Sequence, residues 1–368
     1  MNSSQLSSSI SVVTIMKTKF DSVSLDQMRQ VKDDLADRVI AHYFPKAKAE
    51  LQEQLSQLHL NSDLEQVKGV PELTALVDQL LRDAALGNEQ LLRGRSFFND
   101  HASDIMLLLG FLSLPYCYAA AKGAEVLVRS KRILDQPAER LAETAHFVFD
   151  VFHKNAFAAD GKGLVVILKV RLMHAASRWY VAQGDWDVDE LGQPVNQEDM
   201  AGTNLSFSLM VIRGLRRMGK LISGESALGY IHYWNYVGKL MGLKEELLPQ
   251  DNKEANLLEK AIRKRQFAPS KAGKQLTASL VNYYYQAAEG TPLEGKVNQM
   301  LEFLLGENVC QILGLSIDEF ETSLFKPYTL VMKLQNQLLR KNDSYNQAWF
   351  NYNQQSKDIT PDNAFSLP

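Results

Sequence analysis

Apolar residues recur every three or four positions along most of this chain, and the pattern predicts helices joined by short loops. The first spans 24–58, with Ser24 as its cap. The second, 70–86, has Pro71 near its start, where a missing N–H costs nothing. Residues 107–133 form the apolar centre, read as two helices meeting near Pro115. Asp135 and Pro137 open a helix that runs to about Lys154. After the loop NAFAADGKG, another helix spans 164–182; its LVVIL run is β-branched, but it continues into KVRLMHAASRWYV, and that length favours helix. The polar turn GQPVNQED opens a helix over 201–218, with Asn196 or Asp199 as its cap. Further helices are predicted at 226–241, 252–266, 273–288, 293–305 and 326–339. No internal repeat suggests a solenoid, and no Gly/Pro linker divides the chain. The reading is all-α: a flexible Ser-rich leader at 1–20, one helical domain at 21–340, and a polar tail at 341–368.

Composition narrows the function classes. At 368 residues the chain can bury a sizeable core, and 45% hydrophobic with 23% charged residues is ordinary for a globular domain. The formal net charge of −3 offers no basic field for nucleic acid. Two cysteines, Cys117 and Cys310, make neither a disulfide framework nor a zinc site. The opening MNSSQLSSSISVVTIM has no basic residue before its apolar run, so a secretory signal is not expected and a cytoplasmic location is. Residues 105–121 are the most membrane-like, but Gly110 and Pro115 interrupt them and a bent core helix is expected, without stable membrane insertion.

One constellation carries chemistry. Treated as antiparallel neighbours, helices 137–154 and 164–182 place Thr144 and His174 equally far from the loop midpoint near Ala159, so at about 1.5 Å per residue they stand at similar height. Arg140 and Thr144 are four apart and share a face; Arg171, His174 and Arg178 are three and four apart and share another. A planar cofactor between the helices would meet His174 on one side and Arg140 and Thr144 on the other. Haem requires such a site: an imidazole for the iron, apolar walls, and cations for the propionates, here Arg171 or Arg178. The bland alternative is a hydrogen-bonded core histidine.

The R-x-x-x-T pair Arg140 and Thr144, the VRLMHAASR segment around His174, and GQPVNQEDMAGTNLSFS together resemble the latex-clearing rubber oxygenases. Their superfamily includes a fungal oxygenase of mycophenolic acid biosynthesis. The resemblance covers about residues 90–240. It implies a globin-like helical core with peripheral helices and one haem b per chain, with His174 as the proximal iron ligand and Arg140 and Thr144 on the distal side. Rubber oxygenases carry a lysine next to that threonine that can cap the iron; here the residue is Glu143, which cannot act as a neutral amine ligand. They also use an upstream glutamate as a candidate base, and Glu125 lies near its place with imperfect spacing. Glu143 or Glu125 could accept a proton if burial raised its pKa; a surface ion pair is the alternative for each.

The implied reaction is insertion of dioxygen across an alkene, with cleavage to two carbonyl products. Without an expected secretory signal, a smaller isoprenoid or lipid-like substrate fits better than polyisoprene. A non-enzymatic haem or gas-binding protein and a haem-free helical interaction module are the competing readings. Glu143-x-x-His146 and Asp150-x-x-His153 have di-iron spacing, but a di-iron bundle draws such pairs from two helices and these share one. Phe207 is expected to pack, or to wall the pocket.

Overall fold

Side-chain caps and prolines decide where the helices begin. The structure is a computed structural model describing residues 20–67, 69–85, 90–129, 136–291, 294–315 and 344–356, together with Leu367. The leader up to residue 19 and the helix expected at 326–339 lie outside the described residues.

Three helices, α1 (Ser22–Arg29), α2 (Asp34–Tyr43) and α3 (Lys48–Ser56), replace the single helix expected over 24–58. The Asp33 carboxylate accepts from Ala36 N at 3.3 Å and starts α2 afresh. Pro45 follows Phe44, the C-cap of α2, and supplies no N–H to continue it. Next come α4 (Pro71–Ala84), with proline in its first turn, and α5 (Gln90–Leu108). A widened π turn, Leu109–Ser113, joins α5 to α6 (Leu114–Tyr118). Pro115 breaks the regular hydrogen-bond ladder there, so the membrane-like run is a bent, largely buried core element. Among the described residues no helix is long and apolar enough to cross a membrane.

The chain continues through α7 (Ala121–Arg129), α8 (Pro137–Phe152), α9 (Gly163–Ala182), α10 (Val188–Leu191), α11 (Gln197–Phe207) and α12 (Leu209–Arg217). Asn196 caps α11 by accepting from Asp199 N at 3.0 Å. The helix expected at 201–218 breaks at Ser208, whose ψ of −79° departs from helical geometry. Then follow α13 (Gly224–Leu240), α14 (Asn252–Gln266), α15 (Lys271–Ala288), α16 (Val297–Leu305) and α17 (Glu307–Leu313). The expected polar tail is a correction: within it, α18 (Ser344–Ser356) is a packed helix. Tyr345, Trp349 and Tyr352 fall one turn apart, and all three rings meet Phe149 of α8.

The fold is all-α; among the described residues the one extended pairing is an isolated bridge between Ala120 and Phe267. Among the described residues the most extensive helix contact joins α5 to α13, and Gly94 and Gly229 permit it. A Cβ on Gly94 would fall 2.4 Å from Tyr233 Cβ, so any side chain there would force the helices apart. Beside this seam Phe152 stacks on Phe98 and on Tyr233, each at 4.2 Å between centroids. Helix α9 packs against α2 on one side and α8 on another, which fixes the orientation of the site. Both cysteines are free.

Candidate functional site

Helices α8 and α9 do not close on each other along their length. Between them, and bounded by α7, α11, α13 and α14, lies a cavity of about 1470 Å³. Ligand sites commonly occupy about 300–1,000 Å³, so the space exceeds one small molecule. From α9 it is lined by Val166, Lys169, Val170, Met173, His174 and Ser177, one face of the helix, with the N-cap Lys162 at its start. From α8 it is lined by Pro137, Arg140, Glu143, Thr144, Phe147 and Asp150. The structure therefore brings His174, Arg140, Glu143 and Thr144 to one cavity.

His174 is the unusual member. Its Nδ1 is buried without a hydrogen-bond partner. Burial, with the Arg178 and Arg140 guanidiniums nearby, pulls the imidazole down to about 3. The ring is therefore neutral at physiological pH and offers a lone pair to an electrophile. An orphaned buried polar atom costs about 1–3 kcal/mol, so this one calls for a partner.

Arg140 reaches across from α8, with Nη1 3.7 Å from Met173 Sδ, the residue before His174. The same nitrogen pairs with the Glu143 carboxylate one turn along α8. Thr144 Oγ1 donates to Arg140 O at 2.9 Å, so its hydroxyl proton is held by the helix and its oxygen faces outward as an acceptor. Phe207 lines the cavity, with its ring 5.2 Å from that of Trp234.

Three expected residues stand elsewhere. Arg171 Nε and Nη2 hold Asp33 at 2.8 and 3.0 Å, a bidentate pair, and its Nη1 donates to Leu240 O. Burial pushes the Asp33 carboxyl up, but Arg171 and Arg178 more than offset this and hold it below its ordinary value. Arg178 Nε donates to Asp37 at 2.6 Å. Neither arginine lines the cavity. A helix turns about 100° per residue, so Arg171 stands about 60° round from His174, enough to face α2. Glu125 is the third. Its neighbours Gly123, Val126 and Leu127 line the cavity, and Glu125 turns away from it.

The structure also reveals cavity residues that sequence reasoning missed. Asp199 lines the wall at the start of α11, held by Arg29 at 2.9 Å and Asn196 at 2.8 Å. Burial raises its carboxyl despite Arg29. At the far end, Tyr116, Glu259 and Arg263 line the same cavity. The signal for the last two, a glutamate and an arginine four apart on a polar helix, is indistinguishable from a solvated face. Among the described residues no group of three or more His, Cys, Asp or Glu could hold a metal ion, and His146 instead meets Tyr352 at 3.1 Å.

The fold and the site define an all-α protein built around a large cavity. The chain belongs to the ER-bound oxygenase mpaB/B'/Rubber oxygenase family, whose catalytic domain matches residues 100–334. It is similar to the rubber oxygenase of Streptomyces sp. (strain K30), with 25% identity over 293 residues, covering 78% of this chain and 71% of that protein. Its fold matches that of latex clearing protein LCP in the closed state, with a TM-score of 0.74 and 22% identity over 88% of this chain and 90% of that one. As a member of this family the chain is an oxygenase, an enzyme that acts with dioxygen.

Proposed function

We propose that this oxygenase holds one haem b through His174 and oxygenates or cleaves an alkene in an apolar, isoprenoid-like substrate. The observation that carries the reading is the neutral, unpartnered imidazole of His174 on the wall of a large cavity. The fit is chemical as well as spatial. A neutral imidazole is the form that ligates iron, and aliphatic and aromatic side chains such as Val166, Phe147 and Leu205 would bury a macrocycle. When bound, haem supplies the activation of dioxygen.

The chain's own residues do the rest. Arg140 presents a guanidinium to the space His174 faces and would stabilise negative charge developing there. Glu143 holds that guanidinium in place, a positioning role that follows from the ion pair. Thr144, with its proton committed to Arg140 O, would accept a hydrogen bond or release its own on rotation. The apolar walls exclude water and favour an apolar substrate. The relative's name specifies rubber, and a related hydrocarbon chain suits this cavity.

The test is the absorption spectrum of protein from haem-supplemented cells, beside His174→Ala. A strong Soret band that is lost or shifted in the variant is expected. No band in either would remove the haem. Carbonyl products from terpenoid alkenes would then separate an oxygenase from a haem protein without turnover.

A further inference from the structure

The end of the cavity formed by α6 and α14 has a charge arrangement that an apolar substrate alone does not explain. Glu259 is 3% exposed and receives three donors. The Tyr116 hydroxyl and Arg263 Nε both reach Oε1, the latter at 2.8 Å, and Arg213 Nη1 reaches Oε2 at 2.7 Å. Burial alone would push this carboxyl up, but Tyr116 and the two arginines more than offset it and keep it ionised. Its lone pairs are largely taken, so it offers little to a ligand. Two guanidiniums against one carboxylate leave a positive charge over.

That charge faces the cavity through Arg263. Arg213 does not line the cavity, and its second nitrogen is held by Asn256. Arg263 does line it, and only its Nε is committed to Glu259. The cavity lining includes the apolar Leu205, Ile262, Phe267, Leu276 and Leu280, and the polar Gln266 and Glu198, which bond each other. The Arg263 side chain is 42% exposed, and a hydrocarbon chain filling this end would take part of the water from its nitrogens and give nothing back, an unfavourable exchange. A carboxylate at the chain's end would take two parallel hydrogen bonds from the same planar group.

We propose that Arg263 anchors an acidic head group, a carboxylate, at the end of an apolar chain bound in the cavity. This rests on the apolar-substrate reading and makes the substrate an amphiphile, an unsaturated long-chain or isoprenoid acid. A haem propionate is the other carboxylate that the cavity could bring to Arg263, and the experiment has an arm for each.

The first arm measures binding of an isoprenoid carboxylic acid and of its methyl ester by displacement of a fluorescent fatty acid, a readout independent of haem and turnover. The parent is expected to prefer the acid by about tenfold to a hundredfold, the range of a charged hydrogen-bonded contact. Arg263→Gln abolishes the preference, Arg263→Lys keeps part of it, and Lys264→Gln on the exposed face leaves it unchanged. Circular dichroism confirms that the variants fold. Equal binding of acid and ester by the parent, or a preference surviving Arg263→Gln, overturns the proposal. The second arm measures release of haem and of its dimethyl ester to an apoglobin. If Arg263→Gln speeds haem release to the diester's rate, the carboxylate is the cofactor's and the proposal fails. Absence of any haem band would defeat the haem reading while leaving the first arm readable.

Discussion

Arg140 and Glu143 form an ion pair one turn apart on α8, and the guanidinium so held touches Met173, the neighbour of His174. A glutamate at this position thus organises the arginine. Both side chains are partly exposed, and such pairs contribute about 0.2–1 kcal/mol to stability. Arg140→Gln is therefore expected to shift the urea midpoint only slightly, while lowering kcat about 10²–10³-fold through loss of a donor to developing negative charge. Steady-state kinetics beside denaturation decides it, and unchanged turnover would take Arg140 out of the chemistry.

Arg171 behaves oppositely. It is 2% exposed and Asp33 is 8% exposed, so removing one partner leaves a buried charge unpaired. Arg171→Met is expected to cost about 3–5 kcal/mol by urea denaturation. A double change with Asp33→Leu should restore part of that loss, less the cap that Asp33 gives α2. A loss under 1 kcal/mol, roughly that of an exposed pair, would contradict the clamp.

The imidazole of His174 makes stability depend on pH. Its folded pKa is lowered to about 3, against about 6.5 unfolded. Above pH 6.5 or so neither state binds the proton and nothing changes. Below it the unfolded chain is protonated and the folded one is not, so stability falls by up to about 1.4 kcal/mol per pH unit until the folded pKa is reached. At pH 5 the haem-free parent should have lost about 2 kcal/mol more, relative to pH 7, than His174→Leu. Parallel denaturation curves for the two proteins would show that the ring titrates normally.

The C-terminal helix is a structural part of the domain. Trp349 packs on Phe149 with centroids 5.0 Å apart and edges onto His146. Trp349→Ala should cost about 2–3 kcal/mol, below the about 3–5 typical of a fully buried aromatic because the ring is only half-buried. A negligible change in thermal midpoint would mean that α18 does not dock in solution.

Local signals predicted most helices and missed features set by distant partners. Pro71 and Pro137 begin helices because they suit a first turn, and Asn252–Gln266 matches its expected bounds because Asp251 caps it. The break between α2 and α3 was masked by apolar spacing that carries on in phase across Pro45. Helix α18 was hidden by composition: Tyr345, Trp349 and Tyr352 keep helical spacing, but Asn and Gln between them read as a tail. His174, Arg140 and Thr144 were legible as a group because consecutive antiparallel helices fix their height, and Glu143 entered only through the family resemblance. The faces of Arg171 and Arg178 were not, since Asp33 and Asp37 lie far back in the sequence and choose them.

Helix α9 is fastened from behind by Arg171 and Arg178 to α2, while its other side opens on the cavity. None of the four side chains in those bonds lines the cavity. The clasp on the back of α9 therefore stands apart from the surface that faces the cavity. Far-ultraviolet circular dichroism should accordingly be left unchanged by His174→Leu, a change on the cavity side of α9.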